Sequence, residues 1–99
     1  MEWLEKLYDE TEEVKVRFAG FATDTSRYDF GIVFTNMFFG KPLVVCMQTG
    51  RSALLDSEDV KNWEYIRKVF HLKSISEAEN LASIFEEYVP KHHSVHQYE

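Results

Sequence analysis

The chain has little of what usually announces an activity. It holds one cysteine, Cys46, so no intrachain disulfide can form. No run approaches the roughly 20 consecutive apolar residues that span a bilayer. The first residues, Met1-Glu2-Trp3-Leu4-Glu5-Lys6, lack the basic and apolar regions of a secretory leader. Together these features favour the cytoplasm and no membrane partner. There is no Gly-x-Ser-x-Gly elbow, no P-loop and no dinucleotide fingerprint, and Thr49-Gly50-Arg51 is too short to read as a phosphate loop. The expectation is therefore a non-enzyme, with no catalytic residue and no cofactor. Basic charge is also scarce: the net charge is −6, which disfavours general nucleic-acid binding.

What is present is apolar and aromatic. Of the 99 residues, 44% are hydrophobic and 15% aromatic, enough for one modest core rather than a disordered chain. The charge is unevenly distributed. Residues 1–13 carry six acids and one base, residues 14–55 five bases and two acids, and residues 56–99 nine acids and five bases. Only the middle is basic.

That middle reads as strands. Val14, Val16 and Phe18 alternate with Lys15, Arg17 and Ala19, a period of two that runs to about Ala22. Thr23-Asp24-Thr25-Ser26 is turn chemistry. Tyr28 to Thr35 is a second strand, Leu43 to Gln48 a third opened by Pro42, and Arg51 to Leu55 a fourth behind a tight turn at Thr49-Gly50. Asp56-Ser57-Glu58-Asp59 caps a short helix. Ile66 to Leu72 alternates and is compatible with a fifth strand. Ser76 and Glu79 form a capping box ahead of a helix whose face is Ala78, Leu81, Ala82, Phe85, Tyr88 and Val89, stopped by Pro90. The expected fold is α+β: a four- or five-stranded antiparallel meander, flat or curled toward a barrel, with a C-terminal helix. Residues 1–90 form one domain and residues 91–99 a flexible polar tail.

With the hairpins closed at those turns, one face collects Val16, Phe18, Phe30, Ile32, Phe34, Leu43, Val45, Met47 and Leu54, and is expected to be the core. The other collects Arg17, Ala19, Phe21, Gly31, Val33, Val44, Cys46, Ala53 and Leu55, with Arg51 at its end. A one-sided antiparallel sheet should be polar on its wet face. Here both faces are apolar, and one long helix cannot cover both, which points to a homodimer.

Several groups invite a chemical reading. Cys46, between Val45 and Met47, is expected to be an inert buried thiol. His92 and His96 have the i, i+4 spacing of zinc ligands beside His93, but nothing in the segment completes a ligand set, so no metal site is expected. The acids at Asp9, Glu10, Glu12 and Glu13 lack a calcium-loop pattern and read as a solvated edge. The most interesting set is basic and aromatic: Arg17, Arg27, Tyr28, Phe38, Phe39, Lys41 and Arg51. Basic strands with exposed rings hold single-stranded nucleic acid, and this is the alternative function. The plainer account has Arg27 and its like paired with acids and the rings in the core. Phe38 and Phe39 fit that account least, because two large rings in a short loop need a partner surface. The leading reading is an interaction module that binds itself or another protein or ligand, and a small enzyme of unknown class ranks third.

One family resemblance is carried by an ordered string of short motifs: Leu7-Tyr8-Asp9-Glu10-Thr11, Val16-Arg17-Phe18, Arg27-Tyr28-Asp29, Ile32-Val33-Phe34-Thr35, Gly40-Lys41-Pro42-Leu43-Val44 and Gln48-Thr49-Gly50-Arg51. From about Leu7 to Tyr88 the chain resembles domain-of-unknown-function family 3055. That resemblance implies a cytosolic α+β protein of Gram-positive bacteria without an assigned activity or catalytic residues. It also implies an acidic residue in relatives where Cys46 stands in this chain, which weighs further against thiol chemistry.

Overall fold

The computed structural model describes residues 3–89. The tail from Lys91, with its histidines, lies outside the described residues. Four strands, β1 (Lys15–Ala22), β2 (Arg27–Phe34), β3 (Leu43–Cys46) and β4 (Ser52–Leu54), pair antiparallel in the order β1-β2-β3-β4. The sheet is open, not curled into a barrel, because β1 and β4 are both edges. Two helices follow, α1 (Trp63–Phe70) and α2 (Ile75–Tyr88), and both pack on one side of the sheet.

The turns explain the register. Between β1 and β2 the four residues Thr23–Ser26 close on themselves: Thr23 Oγ1 accepts from the Thr25 and Ser26 N–H groups at 3.2 and 3.0 Å, and the Thr23 N–H donates to Ser26 O at 2.7 Å. Ala22 therefore faces Arg27, and every even residue of β1 pairs with an odd residue of β2. The β3–β4 connection is a five-residue loop, residues 47–51, rather than a two-residue turn, closed by Cys46 N–H to Arg51 O and by Gly50 N–H to Cys46 O. Gly50 holds φ of 79°, the left-handed region that only glycine enters freely.

This register turns β2 over relative to the faces expected from sequence. Phe30, Ile32 and Phe34 lie with Arg17, Ala19, Phe21, Val44, Cys46, Ala53 and Leu55, and that is the buried face. Gly31 and Val33 lie with Val16, Phe18, Leu43, Val45, Met47 and Leu54. A slip of one residue exchanges the faces of a strand, and the even-numbered loop forces that exchange.

The core is an aromatic stack between sheet and helices. Phe30 meets Phe70 and Phe85 edge-on, with ring centroids 5.4 and 5.0 Å apart, the offset that aromatic quadrupoles favour. Ile32, Val44, Leu55, Val60, Ile66, Leu81 and Ala82 fill the rest.

The segment from Ile66 to Leu72 is helix α1 and a cap, not a fifth strand. Asn62 Oδ1 accepts from the Tyr65 N–H at 3.1 Å and starts the helix. Ile66 and Phe70, one turn apart, are buried and Val69 packs beside them, so the helical period, not alternation, places the apolar residues. His71 ends the helix at φ 55°, and the Leu72 N–H reaches back to Arg67 O at 3.0 Å with the Leu72 side chain buried, a Schellman closure. Helix α2 begins earlier than the Ser76 box. Ser74 Oγ accepts from the Glu77 N–H, and Glu77 Oε1 accepts from the Lys73 N–H, both at 3.1 Å. Its buried face, Ala78, Leu81, Ala82 and Phe85, is the expected one. Asp56 caps as expected, accepting from the Glu58 and Asp59 N–H groups, but the element it starts is one 3-10 turn, Asp59–Lys61.

Candidate interaction surface

Because both helices stack on one side, the other side of the sheet has no covering layer of secondary structure among the described residues. That face is the one carrying Val16, Phe18, Val33, Leu43, Val45 and Met47. Phe18 is 76% exposed and Met47 50%. They meet over Gly31, where a methyl group would stand 2.9 Å from Met47 Cε and 3.2 Å from Phe18 Cε1. The result is a continuous apolar pad whose charge is confined to one end. There, Asp29 accepts from Arg27 Nε at 2.9 Å and from Gln48 Nε2 at 2.6 Å. These bonds, Arg27 first, hold the partly exposed Asp29 carboxyl below the usual carboxylate range and raise Arg27 in turn.

Residues 3–14, ahead of β1, form no helix or strand. Trp3, Leu4 and Leu7 are almost wholly exposed, at 90%, 101% and 83%, and Tyr8 is also exposed. The root of this segment is fixed: Glu12 Oε1 accepts from Thr35 Oγ1 at 2.5 Å and Oε2 from the Asn36 N–H at 2.7 Å. Those two bonds lower the Glu12 pKa. The same Thr35 Oγ1 accepts from the Met37 N–H, so the arm's root and the β2–β3 loop are tied together.

That loop carries Phe38 and Phe39 in a 3-10 turn. Both adopt positive φ, 53° and 64°, ahead of Gly40 at 73°. A non-glycine residue in this region costs about 1–2 kcal/mol. Phe39 is 92% exposed, so burial of its ring in its own domain does not compensate for that strain. Lys41 anchors the loop's far side through Asp59 at 3.1 Å and Asp56 at 3.6 Å. Its hydrogen bond with Asp59 raises Lys41 above its ordinary pKa. Burial pushes Asp56 up, but the bonds it exchanges with Asp59, the Lys41 charge and the Glu58 N–H outweigh burial and leave it low.

The basic and aromatic residues expected to act together are dispersed. Arg17 points to the helix side, its guanidinium carbon 4.5 Å from the Tyr88 ring centroid. Arg27 lies on the open side, bound to Asp29. Tyr28 faces the core, stacked on Phe30, and burial, with Glu77 nearby, raises its pKa. Lys41 is engaged as described, and Arg51 is exposed in the β3–β4 connection. Cys46 is buried, its Sγ 3.8 Å from Gln48 Oε1. Among the described residues, no three His, Cys, Asp or Glu side chains are grouped to hold a metal ion, and no helix is long and apolar enough to cross a membrane.

Sequence reasoning missed one further surface. Trp63 and Tyr65 are exposed on α1, beside Arg67 and Lys68, and an open depression runs along Asn62, Tyr65, Arg67 and Lys68. Lys73 follows, and Glu64 is the only acid between Lys61 and Lys73. Summing charge from residue 56 to 99 hides this stretch. A narrower window would have found it.

The fold defines an α+β protein built as a four-stranded antiparallel meander with two helices on one face and an apolar pad on the other. Within that class, the chain belongs to the uncharacterised SAV0927-like family, whose pattern it matches over residues 7–87. The match spans nearly all of the described domain and is compatible with the resemblance drawn from the motifs. No curated protein matches the chain.

Proposed function

We propose that this protein is a non-enzymatic interaction module whose open sheet face is its docking surface and whose first occupant is a second copy of the chain. The observation that carries this reading is the pad around Phe18, Gly31 and Met47. An antiparallel sheet left to water should be polar on that side, and apolar patches of this kind mark interaction sites. The strained and exposed Phe38-Phe39 turn supports it, since backbone strain collects at functional loops. Sedimentation equilibrium tests it. The wild-type protein should sediment at twice 11.7 kDa at micromolar concentration, and Met47→Asp, which places a charge in the pad, should sediment as a monomer with its fold intact. A wild-type mass of 11.7 kDa throughout that range contradicts the reading.

A second reading has its own observation. Tyr65, Arg67 and Lys68 share an open depression on α1, with Trp63 exposed one turn before Arg67, and these are the ingredients of a single-strand nucleic-acid surface, stacking rings with phosphate-binding cations. This moves the nucleic-acid alternative from the sheet to α1. Binding of an oligonucleotide at low salt, lost in Arg67→Ala/Lys68→Ala, would favour it. Absence of binding at low salt removes it.

A further inference from the structure

The reading of the sheet face as a self-association surface leaves open what part of the second copy sits on it. We infer that the occupant is the partner's N-terminal arm: Trp3, Leu4, Leu7 and Tyr8 of one copy lie across the Phe18–Gly31–Met47 pad of the other, reciprocally. This rests on the proposed function and specifies its contact.

Two observations point the same way. First, the arm and the pad are two apolar surfaces that the described residues of the same copy leave uncovered. The arm holds Trp3, Leu4 and Leu7 almost wholly exposed, so none of them rests on the pad of its own copy. The pad leaves Phe18 three-quarters exposed. A second copy supplies each surface with the other, and the reciprocal contact closes as a two-fold dimer rather than an open filament. Second, the geometry reaches. The arm is rooted at Glu12 by Thr35 and Asn36. From Trp3 to Glu12 an extended chain spans up to about 30 Å, whereas four strands at 4.8 Å spacing are only about 15 Å across. The root is fixed and the far end extends beyond the width of a sheet.

The area is sufficient. A buried Trp and Tyr bring about 150–250 Å² each. Two arms, with their leucines and the sheet surface they cover, reach the roughly 1,200–2,000 Å² of a specific stable interface. Trp is also the residue most enriched among those that dominate binding energy.

The test uses two variants of the full chain. One replaces the arm anchors, Trp3→Ser/Leu4→Ser/Leu7→Ser, all at positions so exposed that the fold does not depend on them. The other charges the pad, Phe18→Asp/Met47→Asp. Circular dichroism confirms folding of each, and sedimentation equilibrium reads the dimer constant. Both variants should dimerise at least about tenfold more weakly than wild type, the loss expected on removing a dominant anchor. Mixing them restores one complete seat, an intact arm on an intact pad, so a heterodimer should form where neither variant forms a homodimer. A wild-type dimer that persists unchanged in the arm variant, or a mixture with no heterodimer, overturns the arm exchange while leaving the sheet face as an interface. A wild-type monomer overturns both.

Discussion

Met47 covers Gly31 on the open side of the sheet, its Cε 2.9 Å from where a methyl group on that glycine would stand. One residue before that glycine in the same strand, Phe30 is 1% exposed between Phe70 and Phe85. Adjacent residues of β2 thus look into opposite environments, and the difference is large enough to measure. Phe30→Ala should cost about 3–5 kcal/mol, the range for truncating a core phenylalanine. Phe18→Ala, on the open side, should cost under about 1 kcal/mol in dilute protein, where no partner covers it. Gly31→Ala should also stay within about 1 kcal/mol, because both neighbours are the free ends of exposed side chains and a strand gains from losing a glycine. Urea unfolding measures all three. A cost for Phe18→Ala as large as that for Phe30→Ala would place Phe18 in the core and contradict the pairing of Phe18 with Gly31.

The Lys41, Asp56 and Asp59 cluster predicts a pH signature. The Asp56 carboxyl is held below its usual pKa, so its contribution is present above about pH 4 and is lost as pH falls through the folded value. Lys41 is raised, so its share is present below about pH 10.4 and is lost as pH climbs through the folded value. Lys41→Met removes the cation and leaves two carboxylates facing each other. The variant should lose about 1–2 kcal/mol at neutral pH, since bonds to charged groups are among the stronger ones but this cluster is partly solvated. The gap to wild type should narrow as pH falls through the lowered Asp56 value, where that carboxyl protonates and needs no cation. A gap that stays constant from pH 7 to pH 3 would show that Lys41 acts through packing alone.

Two serines separate two starts for helix α2. Ser74→Ala should destabilise by about 0.5–2 kcal/mol, the usual cost of losing a cap. Ser76→Ala should be neutral or slightly favourable, because Ser76 lies inside the helix and alanine has the higher helix propensity. The reverse ranking in thermal unfolding would place the start two residues later.

Cys46 is buried in β3. Its native labelling by a thiol reagent should be slow and should rise to the free-thiol rate on unfolding. Fast native labelling at neutral pH would contradict its placement on the helix side of the sheet.

The strands, their turn residues and the buried face of α2 were legible because their periods are unambiguous. The pairing of faces was not. β1 and β2 each have large apolar residues at even positions, so pattern alone aligns Phe18 with Phe30. The parity of the Thr23–Ser26 loop decides otherwise, and it depends on how Thr23 hydrogen-bonds. Over Ile66 to Leu72 a window of seven residues satisfies both an alternating and a helical period, and only the Asn62 cap separates them. The Phe38-Phe39 pair was legible as an unusual loop, because two rings so close to a glycine have little core to enter. The arm was not: Trp3, Leu4, Leu7 and Tyr8 fall at helical spacing, yet residues 3–14 form no helix, and their exposure depends on where Glu12 pins the chain.

The most direct test of self-association through the open sheet face is the oxidation rate of Met47 by dilute peroxide, followed by peptide mass spectrometry across a range of protein concentrations. Met47 is half exposed in the single chain and is oxidised readily when accessible. If a second copy covers the pad, its rate falls as concentration rises through the dimer constant, while in Trp3→Ser/Leu4→Ser/Leu7→Ser it stays high. A Met47 rate that is the same at every concentration in the wild-type protein would contradict self-association through this face.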